Sequence, residues 1–151
     1  MDARVRAALL GIFLFGGVGT AAELLLLEHT EQPWQWAPLV LIAAGVVAVA
    51  WHAVARSRGS VRAFQALMVL FGAGGLTGMA LHYRGNLEFE REMHPDGTVW
   101  ELCEGALMGA TPALAPGTMI LLGLIGLVYT YRHPSLGPPQ GLGPTSTEES
   151  T

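Results

Sequence analysis

Long apolar runs separated by short polar segments make up most of this chain. Four runs, at residues 5–27, 37–54, 61–83 and 112–131, are close to the roughly 20 residues that an α-helix needs to cross the hydrocarbon core of a bilayer. The pattern predicts an all-α integral membrane protein whose four transmembrane helices form a bundle over residues 1–133. Residues 134–151 are rich in Pro, Gly, Ser and Thr, which is typical of a disordered tail.

The outer loop, residues 84–111, separates the third run from the fourth. Apolar and charged residues alternate over residues 87–93, and His94-Pro95-Asp96-Gly97 offers a turn, so we expect a small β-hairpin. A short amphipathic element, such as a helix capped by Asn86, is the alternative. Residues 105–117 are compatible with an interfacial helix, a re-entrant stretch or the start of the fourth helix.

The first 22 residues also have features of a secretory signal, because Arg4 and Arg6 precede an apolar stretch that ends in Thr20-Ala21-Ala22. The apolar run continues past this point through residues 24–27. We therefore expect a retained membrane helix.

The arginines predict the orientation. The chain has no lysine, and six of its eight arginines flank the two ends and the second connection, namely Arg4, Arg6, Arg56, Arg58, Arg62 and Arg132. Only Arg84 and Arg91 lie on the other side. Cytoplasmic flanks carry the excess of positive charge, so both termini should be cytoplasmic in an inner membrane of bacterial type.

Composition narrows the class of partner. A mean hydropathy of +0.42, with 51% hydrophobic and 13% charged residues, fits a chain whose main partner is the lipid bilayer. The net charge of -4 argues against nucleic acid, which calls for a basic surface. Assembly as a homo-oligomer or as a subunit of a larger membrane complex is expected.

Glu23 lies inside the first apolar run, where an ionisable side chain is costly and points to a functional site. Helical periodicity puts it on a face with small residues, and His82 has the same setting near the outer end of the third run. The small residues expected to mediate this helix packing are Gly16, Gly19, Gly74, Gly75 and Gly78. We expect the two glycine faces to pack together and to form an intramembrane pair of Glu23 and His82.

Imidazoles and carboxylates accumulate on the predicted outer face. The candidate metal ligands are Glu23, Glu28, His29, Glu31, His82, Glu88 and His94, a set that suits a divalent transition metal although its spacing matches no fixed metal motif. His29 with His82, and His52 with His133, also resemble axial pairs of a b-type cytochrome. Haem is disfavoured because His29 and His133 lie at or beyond helix ends.

No catalytic motif is present, so an enzyme is not favoured and no catalytic residue is assigned. The sequence favours a non-enzymatic binding or accessory subunit whose outer face holds a divalent metal or docks a partner. One alternative is an ion or proton transport component in which Glu23 titrates within the membrane. The other alternative is a b-type haem electron carrier.

Overall fold

The computed structural model describes residues 1–109 and 113–137. Within them the chain forms five α-helices and two short 3-10 helices, Pro33–Trp36 and Pro134–Leu136, and contains no strand. The α-helices are α1 (Ala3–Leu26), α2 (Ala37–Ala55), α3 (Arg58–Met93), α4 (Val99–Met108) and α5 (Gly117–Thr130). The fourth run was expected to be helical from about residue 112, but α5 begins at Gly117 and residues 113–116 form a turn. The expected disordered tail begins at residue 134, whereas Pro134–Leu136 forms a 3-10 helix. Residues 110–112 and the tail beyond residue 137 lie outside the described residues.

Three segments, Ala3–Leu26, Pro33–Ala55 and Arg58–Met93, are long and apolar enough to span a membrane. Their apolar side chains face outward as well as inward: Phe15 is 85% exposed and Val54 is 88% exposed. Helices that are apolar all round are typical of membrane spans. The helix α5 has only 14 residues, which is about 21 Å of helix against a core of about 30 Å. The count of four spans is therefore not established by helix length.

Consecutive helices α1, α2 and α3 run antiparallel, and α5 packs antiparallel to both α1 and α3. The interior is aromatic: the Phe13 ring lies 5.4 Å from the Phe64 ring and 5.7 Å from the Phe71 ring, measured between centroids. Phe13, Phe64, Met68 and Phe71 are all buried. This layer holds α1, α2 and α3 together, because the ring of Phe71 also lies against Gly45 of α2.

Glycine allows α3 and α5 to approach closely. A Cβ atom at Gly75 would lie 2.8 Å from the Pro116 carbonyl oxygen and 3.0 Å from the Ile120 nitrogen, so only glycine fits. At Gly123 an added Cβ would lie 2.7 Å from the Met68 carbonyl oxygen. Small residues thus do pack at a helix interface, but the helix that packs against α3 through them is α5 and not α1.

The predicted contact between the glycine faces of α1 and α3 is not formed. Gly16 lies against Leu122 of α5, and Gly78 lies against Pro116, just before α5. Gly74 lies against Leu41 of α2, and an added Cβ at Gly19 would meet no atom within 4 Å. The helix α5 fills the groove where α1 and α3 were expected to meet, and aromatic rings rather than glycines join those two helices.

The predicted hairpin is wrong, because α3 continues through residues 84–93 and α4 packs antiparallel against this extension. Asn86 is buried inside α3 rather than capping a helix, and its Nδ2 donates to the Ala106 carbonyl oxygen at 2.9 Å. Extending an existing helix adds one hydrogen bond per residue without a new nucleus, which outweighs a short alternating pattern. We call residues 84–93 and α4 the outer helical hairpin.

Candidate functional site

Two histidines meet at the outer end of the bundle, which we define as the end where α1 stops. His29 follows α1 in a turn whose residue Glu28 has a positive φ of 51°, and its amide donates to the Leu24 carbonyl oxygen at 2.9 Å. This turn directs the ring of His29 toward His82 on α3, with 5.9 Å between ring centroids and 61° between ring planes. Both residues are partly buried. Of the predicted metal ligands, these two are brought together.

Glu23 has a different environment from the one expected. Its side chain is exposed, and the residues that the structure describes contain no ion pair between Glu23 and His82. Because α5 separates the predicted glycine faces, nothing draws the last turn of α1 toward α3 at Glu23. His82 contacts His29 instead.

The remaining candidate ligands are dispersed. Glu28 and Glu31 are exposed in the connection after α1, while Glu88 pairs with Arg84 at 2.8 Å on the outer helical hairpin. The Nε2 atom of His94 lies 3.8 Å from Glu90 Oε2. Within residues 1–109 and 113–137, no group of three or more His, Cys, Asp or Glu side chains could hold a metal ion.

A second polar cluster occupies the inner end, defined as the end where α1 starts and α5 stops. A cavity of about 300 Å³, here called the inner pocket, opens there between α1, α2, α3 and the end of α5. Its polar lining consists of His52, Arg56, Tyr129, His133 and Ser135. The His52 and His133 rings are 4.9 Å apart, and Tyr129 lies 5.4 Å from His133. Both histidine pairs considered in the sequence therefore contain neighbouring rings.

Hydrogen bonds assign the histidine tautomers in the inner pocket. Ser60 donates its hydroxyl to the Ser57 carbonyl oxygen at 2.8 Å, so it accepts from His52 Nδ1 at 2.8 Å. His52 consequently carries its proton on Nδ1 and leaves Nε2 as an acceptor. His133 is the reverse: its Nδ1 accepts from the Ser135 amide at 3.2 Å, so neutral His133 has its proton on Nε2.

Burial, together with the nearby His52 and Arg6, lowers the pKa of His133 below its usual value. The physical cause is that a charged imidazolium would lose water and face other cationic or protonatable groups. The neutral tautomer described above is therefore favoured near neutral pH.

Arg6 closes the inner end of the bundle. The residue is buried, and its guanidinium donates to the carbonyl oxygens of Tyr129 at 2.6 Å, Tyr131 at 3.1 Å and Arg132 at 2.8 Å. These carbonyls lie at the end of α5, where helical partners run out and a cation is favoured. In the sequence Arg6 was only one charge among several. A buried arginine that bonds to main-chain carbonyls has no residue partner that a motif could reveal.

The fold and its two polar ends define an all-helical protein with three helices long and apolar enough to cross a membrane. Comparison with known proteins finds no matching family model, no matching curated protein and no matching solved structure.

Proposed function

We propose that this protein is a non-enzymatic membrane subunit that binds a divalent transition metal at its outer end through His29 and His82. The ring separation of 5.9 Å carries the proposal. A metal ion about 2 Å from one nitrogen of each imidazole puts the ring centroids about 5 to 6 Å apart, depending on the angle at the metal. Imidazole ligands suit zinc, copper, iron and nickel.

Two imidazoles leave coordination positions to be filled. Glu28 and Glu31 flank His29 in the same connection and are exposed, so a small movement of this connection could supply a carboxylate. Water or a ligand from a partner protein could supply the rest. A site of this kind would gain its full affinity only in the assembled complex.

Membrane insertion is part of the proposal. Side chains such as Phe15 and Leu26, each 85% exposed, would present a large apolar surface to water, whereas lipid accommodates them without cost. The arginine distribution orients both termini toward the cytoplasm. The outer helical hairpin then projects beyond the bilayer, where Val99, 80% exposed, and Trp100, 76% exposed, offer apolar contacts to a partner subunit.

Metal binding can be tested on the intact chain purified in a mild detergent. After loading with Zn²⁺ and removal of excess metal, we expect about one equivalent per chain by elemental analysis. His29→Ala and His82→Ala should each weaken binding at least about tenfold, since each removes one ligand. His94→Ala is the matched control, because His94 is an outer histidine that lies apart from the pair. Wild-type protein without metal above background, or equal losses in all three variants, would refute the proposal.

A b-type haem is the second candidate, and the contact between His29 and His82 is the observation that favours it. Two imidazoles on opposite sides of an iron are the usual axial ligands of such haems in helical bundles. The absorption spectrum of the same preparation separates the candidates. A Soret band that His29→Ala abolishes would replace the metal-ion proposal, and its absence would remove haem.

A further inference from the structure

The inner pocket has the electrostatic character of an anion site. Arg56 lines it, and Asp and Glu are absent from the lining that the described chain provides. Arg56 also belongs to no ion pair within residues 1–109 and 113–137. A metal cation would face this arginine without a carboxylate to offset it, so cation binding is disfavoured here.

The tautomer of His133 also argues against a metal. Its Nδ1 lone pair accepts the Ser135 amide hydrogen, so its Nε2 carries the proton of the neutral ring. Nε2 is therefore a hydrogen-bond donor and has no lone pair available for a metal. Ligating a metal through Nε2 would require the loss of this bond. Donating to an oxygen of an anion requires no rearrangement.

Tyr129 is the observation that points to a ligand. Its side chain is only 9% exposed and lines the pocket, yet its hydroxyl makes no hydrogen bond with any residue in the part of the chain that the structure describes. Among the described residues no fully buried side-chain N or O atom lacks a partner, so the Tyr129 hydroxyl still reaches solvent and is free to donate to a ligand in the pocket. Tyr129, His133 and Arg56, each with a side-chain hydrogen-bond donor, line one cavity.

We propose that the inner pocket binds a phosphate group, either of an anionic phospholipid in the adjacent leaflet or of free phosphate. Phosphate offers several strong acceptor oxygens, and arginine is well suited to it. The apolar part of the lining, which includes Leu10, Val49 and Phe64, provides a surface along which an acyl chain could lie. Basic pockets between membrane helices on one side of the bilayer bind lipid head groups in this manner.

The experiment uses full-length protein in a maltoside detergent, which contains no phosphate. Inorganic phosphate, dioleoyl phosphatidylglycerol and dioleoylglycerol are titrated separately while the ¹⁵N imidazole shifts of His133 and His94 are recorded. We expect a saturable shift of His133, and none of His94, with phosphatidylglycerol. A shift with inorganic phosphate as well would identify a site for free phosphate, and a shift with the lipid alone would assign it to the head group in its membrane setting.

Variants test the donors individually. Tyr129→Phe and Arg56→Gln should each weaken binding about tenfold, the size of one hydrogen bond to a charged group. Tyr131→Phe and Arg58→Gln are matched controls, because neither residue lines the pocket, and they should stay within about twofold. The proposal is overturned if neither phosphate source shifts His133, if dioleoylglycerol shifts it equally, or if Tyr129→Phe binds as tightly as wild type. The wild-type titrations remain decisive should a variant fail to fold.

Discussion

The strongest structural prediction concerns Arg6, whose replacement by methionine keeps an apolar stem but removes the guanidinium. Three carbonyl oxygens lose a charged donor. Tyr129 is buried, so the loss of its bond costs about 1.5 to 3 kcal/mol. The carbonyls of the exposed residues Tyr131 and Arg132 can turn to water, so each costs about 0.5 kcal/mol. The expected loss for Arg6→Met is therefore about 2.5 to 4 kcal/mol in the free energy of unfolding.

Arg4→Met is the matched control. Arg4 is exposed, and its guanidinium makes no hydrogen bond within the described chain, yet its replacement removes the same terminal charge. Reversible unfolding in mixed micelles, followed by circular dichroism, measures both variants. Arg6→Met should lower the melting temperature by about 5 to 15 °C and Arg4→Met by about 2 °C or less. A difference below about 0.5 kcal/mol between them would refute the role of Arg6 at the end of α5.

Four further predictions each concern a single residue. Gly75→Ala should destabilise the α3–α5 contact by at least about 1 kcal/mol in the same unfolding assay. Gly72→Ala is the control and should not, because its added Cβ meets no atom within 4 Å. Equal effects of the two variants would contradict the close approach of α3 and α5. Thr98→Ala removes the hydroxyl that accepts from the Glu101 amide at 3.3 Å and donates to Glu101 Oε2 at 2.8 Å. Amide exchange in α4 should therefore quicken about fivefold, corresponding to about 1 kcal/mol, while the bundle's melting stays unchanged. The pKa of His133 is lowered in the folded state, so its contribution to stability is present above its unfolded pKa and is lost as the pH falls through the folded pKa. His133→Gln should therefore flatten the plot of unfolding free energy against pH below about pH 6.5. An unchanged slope in that plot would contradict this. If Glu23 titrates during transport, Glu23→Gln should abolish proton flux in proteoliposomes, and unchanged flux would remove that alternative.

Periodicity and hydropathy predicted the helix ends well where the helix stops at the same place as the apolar run. The apolar runs 5–27 and 37–54 correspond to α1 and α2 within about two residues at each end. The third run ended at residue 83 in hydropathy, but α3 continues to Met93. A helix need not stop where the chain becomes polar, because its hydrogen bonds are internal. Arg84–Glu88 pairing at i, i+4 supports the extension beyond the apolar part.

Side-chain partners could be predicted only where the position of a residue along the length of the bundle was enough to determine them. His29 and His82 were expected at one end and His52 and His133 at the other, and each pair has neighbouring rings. The partner of Glu23 depended on which helix fills the groove beside α1, and periodicity carries no information about that choice. The place of Tyr129 in the inner pocket was missed for a related reason. Its sequence position is that of an interfacial aromatic residue, and only its packing against His133 shows that it lines a cavity.

The separation of the two polar ends bears on the transport alternative. Between them lies the layer of Phe13, Phe64, Met68 and Phe71, each at most 2% exposed. A proton needs hydrogen-bonding groups or water along its path, and close-packed aromatic rings and thioethers offer neither. Transport through one chain would therefore require this layer to open, whereas binding at either end requires no such change. The two proposed sites, one for a cation at the outer end and one for an anion at the inner end, therefore require no continuous path between them.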